Sequence, residues 1–192
     1  MARKKRECDK QFTMNILKEA YQNGTREVGF YMIGEPLMNA DIDEFVSFAK
    51  ETGYEYVYLT TNGALADIDR MKSLIRSRLS SVKFSVNAAT PESYKKIHGA
   101  DDYDKVKKNI RDLHEYVEKQ NLDFPVFISF VKTKVTANEI DTLYGDFADI
   151  VDNIYIFGCG NQGGGRRLFA CRAGLRGRKR TCSRRHAVRN GV

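Results

Sequence analysis

Apolar residues gather into five short runs, at 28–33, 56–59, 82–86, 126–131 and 154–157. Each is rich in Val, Ile, Tyr and Phe and short enough for a buried strand. The runs start 28, 26, 44 and 28 residues apart, close to the length of one strand plus one crossover helix. Between them the apolar positions change period. Ile42, Phe45, Val46 and Ala49 make one helical stripe, and Ile68, Met71, Leu74 and Ile75 a second. A third runs through Val106, Ile110, Leu113 and Val117, a fourth through Ile140, Leu143, Tyr144 and Phe147. An opening helix is predicted from about Thr13 to Gln22. Thr90-Pro91 reads as a helix start, Thr136 to Glu139 as a capping box, and Gly24, Gly53 and Gly99 as helix stops. Strands buried on both faces with helices between them predict an α/β fold on a parallel sheet. Periodicity alone leaves an open doubly wound sheet and a curved or closed barrel both standing.

Composition narrows the class. Hydrophobic residues make up 42% of the 192 and charged residues 30%, enough for a packed core and too apolar for wholesale disorder. No apolar run approaches the roughly 20 residues of a membrane-spanning helix. The basic N-terminus leads into Glu7 and Asp9 rather than an apolar stretch, so no secretory signal is read there. Four cysteines make no disulfide framework, and a reducing cytoplasmic location is expected.

A net charge of +7 invites a nucleic-acid reading until it is partitioned. Residues 158–192 hold nine Arg, one Lys and no acid, whereas residues 1–157 hold all 25 acids against 22 bases. The chain is therefore divided into a body at 1–157 and a Gly/Arg-rich tail at 158–192. The tail lacks a period of 2 or 3.6 and is expected to be disordered or read out of frame. An RNA-binding module acting through this tail is the alternative function. The acidic body offers it no matching surface, so nucleic acid is expected only as an adventitious partner.

Ligands of parallel α/β folds bind at the C-terminal ends of strands. The first four runs end in Ile33-Gly34-Glu35-Pro36, Thr60-Thr61-Asn62-Gly63, Ser85-Val86-Asn87-Ala88 and Val131-Lys132-Thr133-Lys134. Each mouth carries small polar groups or a backbone-exposing glycine, suited to a polar cofactor with amine, carboxylate and ribose groups. Any one of these motifs is also ordinary turn chemistry; their recurrence at successive strand ends carries the weight. His98 and His114 lie among charged residues and read as solvated. No Ser–His–Asp or metal-ligand spacing stands out.

Taken with Tyr94-Lys-Lys-Ile-His-Gly99, these segments resemble the radical S-adenosylmethionine (AdoMet) family, most closely its branch that often carries a SPASM-type auxiliary-cluster domain. The resemblance covers about residues 10–160. It implies a partial (β/α)6 TIM-like barrel and two cofactors, AdoMet and a 4Fe–4S cluster. The cluster cleaves AdoMet to a 5′-deoxyadenosyl radical that abstracts a substrate hydrogen. It further implies a peptide or protein substrate and a reductase partner. Position by position, Ile33, Gly34, Glu35 and Pro36 match the family's Gly-Gly-Glu-Pro motif, whose backbone meets the AdoMet amino group. The first glycine is Ile33 here. Thr61 and Asn62 match the mouth near the methionine part, Ser85 and Asn87 the polar pair near carboxylate and ribose, and Val131 the strand facing adenine.

One departure concerns the cluster. The family's CxxxCxxC motif supplies three thiolates, and before the opening helix this chain has only Cys8. Cys159, Cys171 and Cys182 are spaced by 12 and 11 residues, neither a zinc pair nor a clear auxiliary-cluster set. No catalytic or metal-binding residue is therefore assigned. The reading is of a barrel piece whose first strand and cluster loop are missing, inactive alone and derived from an intact radical AdoMet enzyme.

Overall fold

A computed structural model describes residues 9–31 and 34–158. The helix α1 (Lys10–Gln22) precedes five strands: β1 (Glu27–Phe30), β2 (Tyr56–Thr61), β3 (Ser81–Ser85), β4 (Val126–Lys132) and β5 (Asn153–Gly158). Helices α2 (Ile42–Thr52), α3 (Ile68–Arg76), α4 (Pro91–His98), α5 (Tyr103–Lys119) and α6 (Ile140–Phe147) fill the crossovers, with a 3-10 turn at Pro36–Met38. All pairings are parallel and the strand order is β1-β2-β3-β4-β5. That sequential order decides between the two architectures left open by periodicity. A doubly wound sheet reverses direction at a switch point, and this one does not; it is part of a TIM-like barrel.

Local chemistry explains most boundaries. The Asp9 carboxylate accepts from Phe12 N at 2.8 Å and starts α1 three residues earlier than the apolar stripe suggested. Thr90 Oγ1 accepts from Ser93 N at 3.2 Å, with Pro91 at the first helical position, as predicted. Each such cap contributes about 1 kcal/mol. Gly99, at φ +71°, ends α4 and lets α5 start afresh. Two helices in one crossover account for the 44-residue spacing between the third and fourth apolar runs. The predicted capping box at Thr136 to Glu139 is not formed. Thr136 Oγ1 accepts from Thr133 N, and α6 begins at Ile140 with no side-chain cap. Glu139 is drawn away by Ala89 N (2.7 Å) and Ser93 Oγ (2.8 Å) in the β3–α4 segment.

Side chains alternate across the sheet with period two. Val57 and Leu59, Val82 and Phe84, Ile128 and Phe130 lie on one face. They pack with Met71, Leu74, Val106, Ile110 and Leu113 of the helices into one buried core. The opposite, inner face carries Tyr56, Tyr58 and Thr60 on β2, Ser81, Lys83 and Ser85 on β3, and Phe127, Ser129 and Val131 on β4.

His98 departs from its solvated reading. Its ring stacks on Tyr94 at 4.2 Å, and Nε2 lies 2.9 Å from the Val86 carbonyl at the end of β3. Tyr94 is only 1% exposed. Burial pushes its phenol up to about 12, with Asp102 and Glu35 adding to the shift. Burial likewise raises Tyr58 to about 12, reinforced by Tyr31. Both folded values lie above the ordinary 10.0, so folding favours the protonated phenols. Their contribution is complete below pH 10 and disappears as pH rises through about 12. Thermal melts should therefore show a falling midpoint across that window, and Tyr94→Phe should flatten the fall.

Candidate cofactor-binding site

The C-terminal ends of β1 to β4 meet at one mouth, held together by two side chains. Glu35 is the first. Its Oε1 accepts from Thr61 Oγ1 at 2.6 Å and from Leu37 N at 3.1 Å, and its Oε2 accepts from Asn62 N at 2.7 Å. Thr61 Oγ1 in turn accepts from Gly63 N at 3.0 Å, and Asn62 Oδ1 from Ala64 N at 2.9 Å. One carboxylate thus fixes the turn after β1 to the turn after β2. Gly63 stands at φ +87°, where a Cβ would lie 2.9 Å from both Phe84 and Val106, and its carbonyl accepts from Asn109 Nδ2 of α5 at 2.8 Å.

Asn87 is the second fastener. It adopts φ +55°, an uncommon left-handed conformation that Asn tolerates better than most residues. Its Oδ1 accepts from Val131 N at 2.9 Å and its Nδ2 donates to Ser85 Oγ at 3.0 Å. The mouths of β3 and β4 are thereby joined. Ser85 and Ser129 sit opposite each other in register just inside.

The sequence-derived positions are therefore brought together in two sets. Glu35, Thr61 and Asn62 form one, with Gly34 and Pro36 adjoining in the chain; Ser85, Asn87 and Val131 form the other. Ile33 lies outside the described residues, as do Cys8, Cys159, Cys171, Cys182 and the Arg-rich tail. What the sequence did not disclose is how many of these polar groups serve one another. The Val131 amide, the Thr61 hydroxyl and the Glu35 carboxylate all have protein partners. Among the described residues no partner engages the Ser85 hydroxyl proton, the Asn62 side-chain N–H group or the backbone at Gly34. Gly34 stands at φ +111°, and a Cβ there would meet nothing within 4 Å. The Glu139 tie between the β3–α4 and β4–α6 segments was also missed, since nothing local distinguishes it from a capping glutamate.

Residues 2–143 match the protein-family model of the Radical SAM superfamily. The chain belongs to that superfamily. Among curated relatives of this radical SAM chain is a probable GTP 3′,8-cyclase of Metallosphaera sedula. It is 29% identical over 145 residues, covering 74% of this chain and 43% of the relative. The corresponding protein of Saccharolobus solfataricus is 37% identical over 78 residues, covering 41% and 25%. The chain thus spans less than half the length of these relatives. Among solved structures, Streptococcus suis SuiB bound to its precursor peptide SuiA aligns with TM-score 0.68 at 20% identity, covering 83% of this chain and 35% of SuiB. SuiB bound to S-adenosylmethionine aligns with TM-score 0.62 at 20% identity, covering 81% and 35%. These structures share the partial barrel fold.

Radical SAM enzymes use AdoMet and a 4Fe–4S cluster, and the two fit this chain differently. The open backbone at Gly34 and the free donors of Ser85 and Asn62 suit a zwitterionic, hydroxyl-rich molecule. The cluster does not fit the donor set. No CxxxCxxC spacing occurs in the 192 residues, and among the described residues no three His, Cys, Asp or Glu side chains are grouped for a metal. No helix among the described residues is long and apolar enough to cross a membrane.

Proposed function

We propose that this chain is the AdoMet-binding part of a radical SAM enzyme that abstracts a hydrogen from a peptide or protein, with a cytoplasmic reductase as electron donor. The observation that carries the cofactor reading is the pair of cross-strand fasteners, Glu35 and Asn87. They hold four strand ends in place and leave open space at Gly34, while Ser85 Oγ, which accepts from Asn87, keeps its own proton for a ligand. Bound AdoMet supplies the carbon radical in this family; the residues here bind and orient it. The Gly34 backbone and Glu35 turn would receive the amino group. By the family resemblance, Asn62 would lie beside the methionine part, Ser85 and Asn87 near carboxylate and ribose, and Val131 along the adenine. Because the thiolate set is absent, no chemical step is assigned to these residues. The peptide reading draws on the SuiB-like fold and on the aromatic inner face.

Calorimetric titration of the full chain with AdoMet tests this. Saturable one-site binding is expected. Asn87→Ala should weaken it roughly tenfold, because the Val131 amide and Ser85 lose their common partner. Absence of binding by the folded parent chain would refute the proposal.

A further inference from the structure

Below the mouth, the inner face holds a cation without a counter-charge. Lys83 is the middle residue of β3, half-buried, and among the described residues no acid approaches it as an ion pair. Burial lowers its ammonium pKa, and no neighbouring carboxylate opposes the shift. Directly across in register stands Thr60 of β2, whose Oγ1 is buried with no hydrogen-bond partner among the described residues. A half-buried lysine without a protein counter-charge thus stands beside a buried, unpartnered hydroxyl on a strip that continues upward into Ser85 and Ser129. Aromatic rings flank the strip. Tyr31, Tyr58 and Tyr56 follow one another at 5.8 and 6.0 Å on one side. Phe127, Tyr155 and Phe157 follow at 5.8 and 6.5 Å on the other.

Partial burial of an ammonium without a counter-charge carries a desolvation cost that water offsets only in part and that an anionic ligand would offset further. We propose that Lys83, assisted by Thr60, forms an oxyanion subsite inside the barrel that holds an anionic group of the substrate between the two aromatic walls. A single ammonium matches a carboxylate or a phosphate, attached to an apolar or aromatic body that the walls accept. This rests on reading the mouth above Lys83 as the AdoMet site, which leaves the deeper strip for the substrate.

The test is a ligand-observed NMR titration of the full chain with phenylacetate, phenyl phosphate and neutral phenylacetamide. Phenylacetate or phenyl phosphate should bind at least about tenfold more tightly than phenylacetamide, and whichever is tighter identifies the oxyanion. Lys83→Met should lose that preference, Lys83→Arg should keep it within about threefold, and Thr60→Val should weaken it about threefold. AdoMet affinity should be unchanged in Lys83→Met, and its melting temperature should not fall. Equal binding of phenylacetamide, or an unaltered preference in a folded Lys83→Met, would overturn the proposal. So would a parallel loss of AdoMet, which would place Lys83 in the cofactor site. Oxyanion binding that depends on Lys83 in a chain that ignores AdoMet would uphold the subsite while defeating the cofactor reading.

Discussion

Glu35→Ala is expected to lower stability by about 3–4 kcal/mol and to eliminate AdoMet binding at concentrations that saturate the parent chain. The carboxylate accepts three hydrogen bonds, two of them from backbone amides. A bond to a charged acceptor contributes about 1.5–3 kcal/mol, and an amide left unpaired adds its own desolvation cost. Water reaching the half-buried site offsets part of the sum. Glu35→Gln discriminates further. Its single oxygen cannot face Thr61, Leu37 and Asn62 together, and its amide would oppose an N–H donor. Gln should therefore recover less than half of the lost stability in denaturant melts. Parent-like melting of both variants would show that the Glu35 fastener contributes nothing.

Phe84→Ala is expected to destabilise the fold by about 3–5 kcal/mol, the usual cost of emptying an aromatic site in a core. Phe84 is fully buried on the helix-facing side of β3. It also lies directly under Gly63, packed so closely that a Cβ at that glycine would collide with its ring. The cavity would thus open beneath the turn that presents Asn62. Weakened AdoMet binding should accompany the lost stability even where the variant remains folded. Phe84→Leu should retain most of both, since it keeps apolar contacts while giving up part of the volume. Chemical denaturation followed by calorimetry at a temperature well below the melt separates the two effects.

The architecture was largely legible because five short apolar runs mark the strands and the stripes between them obey the helical period of 3.6. Strand limits shifted by at most three residues, and the starts of β2 and β4 fall where the apolar runs begin. Ser81 and Asn153 join strands because backbone pairing extends past the apolar run, and β1 ends at Phe30, before the apolar run does. Strand order, by contrast, is a long-range property. Nothing in a stretch such as 82–86 states which neighbours it pairs with. The mouth residues were also legible, since Gly34, Glu35, Asn62, Ser85 and Asn87 stand at successive strand ends. Their division of labour was not. Glu35 reads as a ligand contact along the chain, yet its carboxylate is engaged 26 and 27 residues away. Lys83 is not legible along the chain for the opposite reason. A lysine in a strand looks like a solvated edge until its neighbours are known to be Thr60 and Phe127.

If the proposal holds, the fastened mouth of β1 to β4 receives AdoMet. An amide-resolved NMR titration of the isotopically labelled full chain addresses it most directly. Saturable shifts are expected to cluster at Gly34, Asn62, Ser85, Asn87 and Val131, with α1 and α6 unmoved. Shifts confined to other surfaces, or none at all in a folded chain, would contradict it.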